Sequence, residues 1–268
     1  MSDRRRFTGQ VILITGASSG IGWAVAKAFA KEGGSLMLAA RRLDRLNDLA
    51  ATCRSFGSPC EIKTTDVQDY NEVLGLVEET IRQYGRIDVL INNAGLGNFG
   101  AFQSQSWENI QRTLRTNLEG VLALCHAVIP HMIRRGSGMI VNVSSVVGKR
   151  PVANLASYCA SKFGVWGFSQ SLAAELRPHS IHVCHFCPTA TATEFHEVAG
   201  MNSAGSSPIA LDSPDRVALA LVDAVIGQKS EYIMSLTERV LIKSYLLAPT
   251  FTERLLNLVR KSPRQVWS

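Results

Sequence analysis

Tyr158 and Lys162 stand four residues apart in Tyr158-Cys159-Ala160-Ser161-Lys162. On a helix this spacing puts both side chains on one face, so a phenol and an ammonium reach the same pocket. A free phenol has a pKa of about 10, too high to trade protons readily near neutral pH. A neighbouring cation favours the phenolate and is expected to lower that value. The pair then suits proton delivery to an oxygen that has gained negative charge, as when hydride reaches a carbonyl carbon. Taken alone the spacing is common on surface helices, so the rest of the chain must decide whether it is chemical.

A second group of residues supplies a place for a hydride carrier. The apolar run Val11–Ile14 leads directly into Thr15-Gly16-Ala17-Ser18-Ser19-Gly20-Ile21-Gly22. Glycines let a backbone turn tightly and approach a pyrophosphate, and a following helix offers free N–H groups and the positive end of its dipole. Thr15, Gly16, Ser18, Ser19, Gly20, Ile21 and Gly22 are therefore the expected phosphate cradle. A carboxylate at the end of the second strand would bind a ribose 2′-hydroxyl and repel a 2′-phosphate. The chain reads Leu38-Ala39-Ala40-Arg41-Arg42 there, with Ala40 in the acid's slot. Arg41 and Arg42 follow as two guanidinium forks suited to phosphate, which points to NADP(H).

The glycine turn in its T-G-x-x-x-G-x-G form, Asn92-Asn93-Ala94-Gly95 and Tyr-x-x-x-Lys occur in one order. Together they resemble the short-chain dehydrogenase/reductase family in its compact single-domain branch, from about Gln10 to Met234. The resemblance implies a reversible, NADPH-dependent reductase working between a carbonyl and a secondary alcohol. It implies that Ser145, thirteen residues before Tyr158, bonds the substrate oxygen. Asn117 would position a water beside Lys162, and Lys162 would also hold the nicotinamide ribose. Asp66 and Val67 match the adenine-contacting pair, and Asn93, Ala94 and Gly95 the segment lining the adenosine ribose. Pro188 and Thr193 match the residues flanking the nicotinamide, although Thr189 stands where the family usually has glycine. The resemblance also implies a homodimer or homotetramer. Two other readings stay open: 3-oxoacyl-thioester reduction in fatty-acid metabolism, and a non-catalytic NADP-binding sensor or scaffold.

Short apolar runs alternating with helical-period segments must position these groups. Strands are expected at Val11–Thr15, Ser35–Ala40, Glu61–Thr64, Asp88–Ile91, Met139–Val143, Ile181–Phe186 and Glu231–Met234. Helices are expected near Ile21–Lys31, Asp44–Phe56, Tyr70–Tyr84, Trp107–Arg134, Ser157–Arg177 and Pro214–Ile226. That alternation predicts an α/β protein: a single Rossmann-type doubly wound parallel sheet of about seven strands with helices on both faces. Residues 1–234 are expected to form the catalytic domain and 235–268 an amphipathic helical extension of it. The small-residue stretch Thr191–Leu211 reads as a loop over the site.

Composition narrows the partners. With 46% hydrophobic and 19% charged residues the chain has the balance of a globular protein. Of the net charge of +6, a surplus of four lies after Met234 (six basic residues against two acidic). No nucleic-acid motif accompanies it, so no nucleic acid is expected. Neither Cys184-x-x-Cys187 nor the histidines have a second ligand set, so no metal is expected. No run reaches the ~20 apolar residues of a membrane span, and a cytoplasmic location follows as the default. After Met234, Pro249 should divide two short helices. The second carries Phe251, Leu255, Leu258 and Val259 on one face, with Arg254, Arg260 and Lys261 away from it. Such a face suits either peripheral contact with an anionic membrane, and hence a lipophilic substrate, or packing on the core or a partner subunit.

Overall fold

Strands buried on both faces need nearly continuous apolar runs, and this chain supplies them. The computed structural model of the protein describes residues 5–195, 199, 211–252 and 254. In it β1 (Val11–Thr15), β2 (Ser35–Ala40), β3 (Cys60–Thr64), β4 (Val89–Asn92), β5 (Gly138–Val143), β6 (Ile181–Cys187) and β7 (Glu231–Ile233) form one parallel sheet. The strand order is β3-β2-β1-β4-β5-β6-β7. All strand boundaries fall within a residue of expectation.

Alternation of side chains along each strand separates two cores. Ile12, Ile14, Leu36, Leu38, Val141 and Phe186 point to one face. There they meet α1 (Gly20–Lys31), α2 (Leu43–Ser55) and the later helix Pro214–Ile226. Leu13, Met37, Leu90, Ile140 and Val183 point to the other face. They meet α3 (Tyr70–Tyr84), α5 (Gly120–Arg135) and α6 (Ala156–Leu176), with α4 (Trp107–Leu114) leading into α5. Pro214–Ile226 is α7, started by Ser213, whose hydroxyl accepts from the Arg216 amide at 3.2 Å.

The sheet order reverses between β1 and β4, so a crevice opens at the carboxyl ends of the central strands, where such folds bind ligands. The turns after β1, β4, β5 and β6 all empty into it. One expected element differs. The long helix Trp107–Arg134 is interrupted by a π-helical turn, Arg115–Glu119, between α4 and α5. After β7, α8 (Leu236–Leu247) buries Ile242 against Ile233 and Cys187. The helix stops before Pro249 as expected, and the chain is helical again over 249–252. The expected second tail helix beyond that point lies outside the described residues. So does most of the Thr191–Leu211 loop, including His196. Cys184 and Cys187 belong to different cores, as the strand pattern requires. No helix among the described residues is long and apolar enough to cross a membrane.

Candidate active site

β1 delivers its last residue, Thr15, to the mouth of the crevice. The Thr15 hydroxyl accepts from the amides of Asn93 and Ala94 at 3.2 and 3.3 Å. The Asn93 side chain returns two bonds, to the carbonyls of Thr15 and Gly16 at 3.0 and 3.1 Å. The turns after β1 and β4 are thus one rigid unit, and the side chain of Asn93 is spent on holding it. Packing is tight enough that a Cβ on Gly22 would lie 2.3 Å from the Gly16 carbonyl oxygen. Ser19 caps α1 in extended geometry with no side-chain bond to the helix, so the first amides of α1 are left to a ligand. This arrangement fits a dinucleotide pyrophosphate.

Beyond Ala40 the two arginines diverge. Arg42 Nε donates to Ser18 Oγ at 3.2 Å, and its Nη1 donates to Glu194 at 2.9 Å. Arg41 lies 3.9 Å from Asp66, whose carboxylate also accepts from the Gln68 amide at 3.1 Å. Val67 is buried against Gly120. The expected nucleotide-side residues therefore gather along one edge of the crevice.

The opposite edge is built by β5 and α6. Tyr158 and Lys162 share the inner face of α6 and are both buried, with relative exposures of 8% and 5%. Lys162 Nζ donates to the Val143 carbonyl at 3.0 Å and sits 5.7 Å from the centre of the Tyr158 ring. Burial pulls the Lys162 ammonium down to about 8. The lowering of the Tyr158 pKa, expected from Lys162 together with an oxidised nicotinamide, is not produced by the chain's own groups. Burial pushes the phenol above its ordinary value, and a hydrogen bond with Ser145 is the opposing influence. The lysine is itself desolvated and not in hydrogen-bond range, so its charge does not overcome the cost of a buried phenolate. Ser145 follows the end of β5 and accepts from the Val147 amide at 3.4 Å.

Asn117 sits in the π-helical turn, a local widening common at functional sites. Its Oδ1 accepts from the Leu96 amide at 2.7 Å, and its Nδ2 donates to the Leu96 carbonyl at 2.8 Å and Ser161 Oγ at 3.1 Å. Ser161 in turn donates to the Tyr158 carbonyl at 2.7 Å. A Cβ on Gly95 would lie 3.4 Å from Asn117 Oδ1 and 3.7 Å from Lys162 Nζ, so both groups border that one residue. Asn117 clamps the segment after β4 to α6.

Several neighbours had no signal in the sequence. Lys149, in an apparent loop, is buried with Glu231 as ion-pair partner, its Nζ 4.9 Å from the Trp166 ring centre. His185 is fully buried beside them, and burial, Lys149 and Lys162 together hold its pKa down to about 3. It stays neutral. Thr189, in place of the family's glycine, donates to Asp212, and Thr191 bridges the same aspartate's backbone, which pins the chain after Pro188. Phe195 lies 5.6 Å from the Tyr158 ring, and Phe99, Val146 and Val152 complete an apolar wall. Thr193 rests on Gly20, where a Cβ would meet its methyl at 2.9 Å. A buried phenol, a hydroxyl and an ammonium thus share a mostly apolar crevice with a phosphate cradle, an arrangement able to protonate an oxygen away from water.

Comparison with known proteins gives the family of the chain. A family model for short chain dehydrogenases matches residues 10–203. The 17-beta-hydroxysteroid dehydrogenase 13 of Rattus norvegicus is 32% identical over 261 residues, covering 96% of this chain and 84% of that protein. The 3-oxoacyl-[acyl-carrier-protein] reductase FabG of Thermotoga maritima is 36% identical over 183 residues, covering 68% of this chain and 74% of that one. Other relatives are longer, and the chain spans 41% of their length. A variant of actinorhodin polyketide ketoreductase with NADPH superposes with a TM-score of 0.78 at 32% identity, covering 85% of this chain and 96% of that one.

Proposed function

The chain belongs to the short-chain dehydrogenase family, oxidoreductases that act on carbonyl and alcohol groups with a nicotinamide cofactor, and on that premise we propose that it is an NADP(H)-dependent reductase of a lipophilic ketone. The observation that carries the reading is the convergence of Ser145, Tyr158 and Lys162 in one buried pocket beside the cradle. A bound nicotinamide would supply hydride for the carbonyl carbon. Ser145 hydrogen-bonds the substrate oxygen and stabilises its developing charge. Tyr158 gives that oxygen its proton, and Lys162 stabilises the phenolate left behind and holds the nicotinamide ribose. Asn117, which clamps the segment after β4 to α6, positions a water beside Lys162 through which the replacement proton arrives. Asn93, Ala94 and Gly95 would hold the adenosine ribose of a bound dinucleotide, Asp66 and Val67 its adenine, and Pro188 and Thr193 its nicotinamide. The apolar wall of Phe99, Val146, Val152 and Phe195 supports a lipophilic substrate. Arg41 and Arg42, with no acid at Ala40, support NADP(H) over NAD(H).

The test is turnover, followed by nicotinamide absorbance, of a panel of lipophilic ketones, small ketones and 3-oxoacyl thioesters with each cofactor. Lipophilic ketones with NADPH should give the highest kcat/KM. A preference for thioesters favours the fatty-acid reading instead. NADPH binding without turnover of any compound leaves the sensor or scaffold reading. Trp107, Leu122 and Ile133 are exposed apolar groups on α4 and α5, and they support a homodimer or homotetramer packed through these helices.

A peripheral membrane role for the tail has its own support. Leu236, Val240 and Leu247 form a stripe on the side of α8 opposite buried Ile242, and they are 74%, 65% and 87% exposed. Arg239 and Lys243 edge that stripe, a pattern suited to an anionic lipid surface on the cytoplasmic side. Binding to anionic vesicles that weakens with salt supports this role. Indifference to vesicles, with loss of the oligomer on deleting residues 235–268, assigns the face to a subunit contact.

A further inference from the structure

Glu194 is the residue that occupies the arginine expected to meet the cofactor's 2′-phosphate. Its carboxylate accepts from Arg42 Nη1 at 2.9 Å and lies 3.9 Å from Arg45 Nη2, a third guanidinium one turn into α2. Arg42 at the same time bonds Ser18 in the glycine turn. Glu194 reaches it from the far side of the crevice, 152 residues away in sequence. The adjacent Thr193 lies over Gly20, so this contact crosses the cradle itself. Arg41 is engaged elsewhere, by Asp66.

We propose that Glu194 is a specificity-determining residue: its carboxylate neutralises Arg42 and Arg45 and must give them up to a 2′-phosphate, so it narrows the preference for phosphorylated dinucleotides. This rests on the reading that Arg42 meets the 2′-phosphate. Side chains of Arg42 and Glu194 are 43% and 44% exposed, so their pair is weak and screened. A phosphate carries more charge than a carboxylate and bonds the guanidinium fork more strongly, so it wins the exchange. A carboxylate left beside the bound phosphate then repels it. NADPH bears both effects, whereas NADH, which has no 2′-phosphate, bears neither.

The experiment is a fluorescence titration of the full-length protein with NADPH and with NADH, in wild type, Glu194→Gln, Arg42→Ala and the double variant. Glu194→Gln should tighten NADPH by about two- to fivefold, the range of an exposed ion pair, and leave NADH unchanged. In the Arg42→Ala background the same change should have a smaller effect, carried by Arg45 and the carboxylate's repulsion alone. Unchanged NADPH affinity in Glu194→Gln overturns the proposal. Weaker binding of both cofactors also overturns it, because Glu194 then closes over the dinucleotide instead of competing with it. If Arg42→Ala binds NADPH as tightly as wild type, the NADP(H) reading beneath fails, a result distinct from either.

Discussion

The two edges of the crevice use positive charge in opposite ways. On the nucleotide edge Arg41 and Arg42 are 59% and 43% exposed, and each is held by a carboxylate that water can replace. On the catalytic edge the side chains of Lys149 and Lys162 are almost wholly buried, one against Glu231 and Trp166, the other on the Val143 carbonyl. Exposed pairs contribute little and exchange easily, which suits a site that must accept and release an anion. Buried charges are costly and stay where packing puts them, and their proton affinities move. Substitutions on the first edge should therefore alter affinity, and on the second edge rate.

The sharpest form of that contrast is Tyr158→Phe. It keeps the ring that packs on Phe195 and removes the one atom proposed to give a proton. Turnover should fall by about 10²–10⁴, or roughly 2.7–5.5 kcal/mol in the barrier, with NADPH affinity close to wild type. Single-turnover kinetics and a cofactor titration on the same preparation measure both. Near-normal turnover breaks the comparison at its catalytic end, since another group then supplies the proton.

How far the sequence foresaw each edge follows the same division. Local features were legible: apolar runs gave the strands, the glycine turn its place after β1, and the Tyr–Lys spacing its helix face. The π-helical turn around Asn117 was not, because nothing in Arg-Thr-Asn-Leu-Glu breaks helical periodicity; tertiary bonds to Leu96 and Ser161 accompany the widening. Lys149, Glu231 and His185 are far apart in sequence and meet only when β7 pairs with β6, so each looked like ordinary loop or strand polarity. Glu194 was hidden for the same reason. The upward push of burial on Tyr158 was not legible either, because charge proximity can be guessed from spacing, whereas burial cannot.

Burial of Lys162 makes a prediction about stability that sharpens the contrast without any substrate. Its folded pKa is depressed to about 8, below the ordinary 10.5 of the unfolded chain. Between these values the unfolded state binds more protons, so the lysine's contribution to stability becomes more favourable as pH rises. Below pH 8 both states are charged, and the full desolvation cost is present. Lys162→Met removes that cost. The variant should be more stable than wild type, relative to their difference at pH 10, by about 2 kcal/mol at pH 7. Urea melts of cofactor-free protein at the two pH values give the number, and a difference independent of pH contradicts a buried, shifted lysine.

The smallest effect belongs to the exposed edge, and it asks whether exchangeable charge alone sets cofactor choice. Ala40 ends β2 opposite Thr64 and is buried, 7% exposed, at the edge of the core shared with α1 and α2. An aspartate there would accept from a ribose 2′-hydroxyl and repel a 2′-phosphate. Arg41→Ala made with it removes one guanidinium from the nucleotide edge and frees Asp66, adding to that repulsion. The combined variant should lose about tenfold in NADPH affinity, roughly 1.4 kcal/mol, while NADH affinity holds or improves. Its thermal midpoint should fall through the carboxylate placed at buried position 40, whereas loss of the exposed Arg41–Asp66 pair should contribute little. Parallel titrations with both cofactors and a melting curve test all of this. Equal binding of NADPH and NADH by the wild-type protein would sink the assignment.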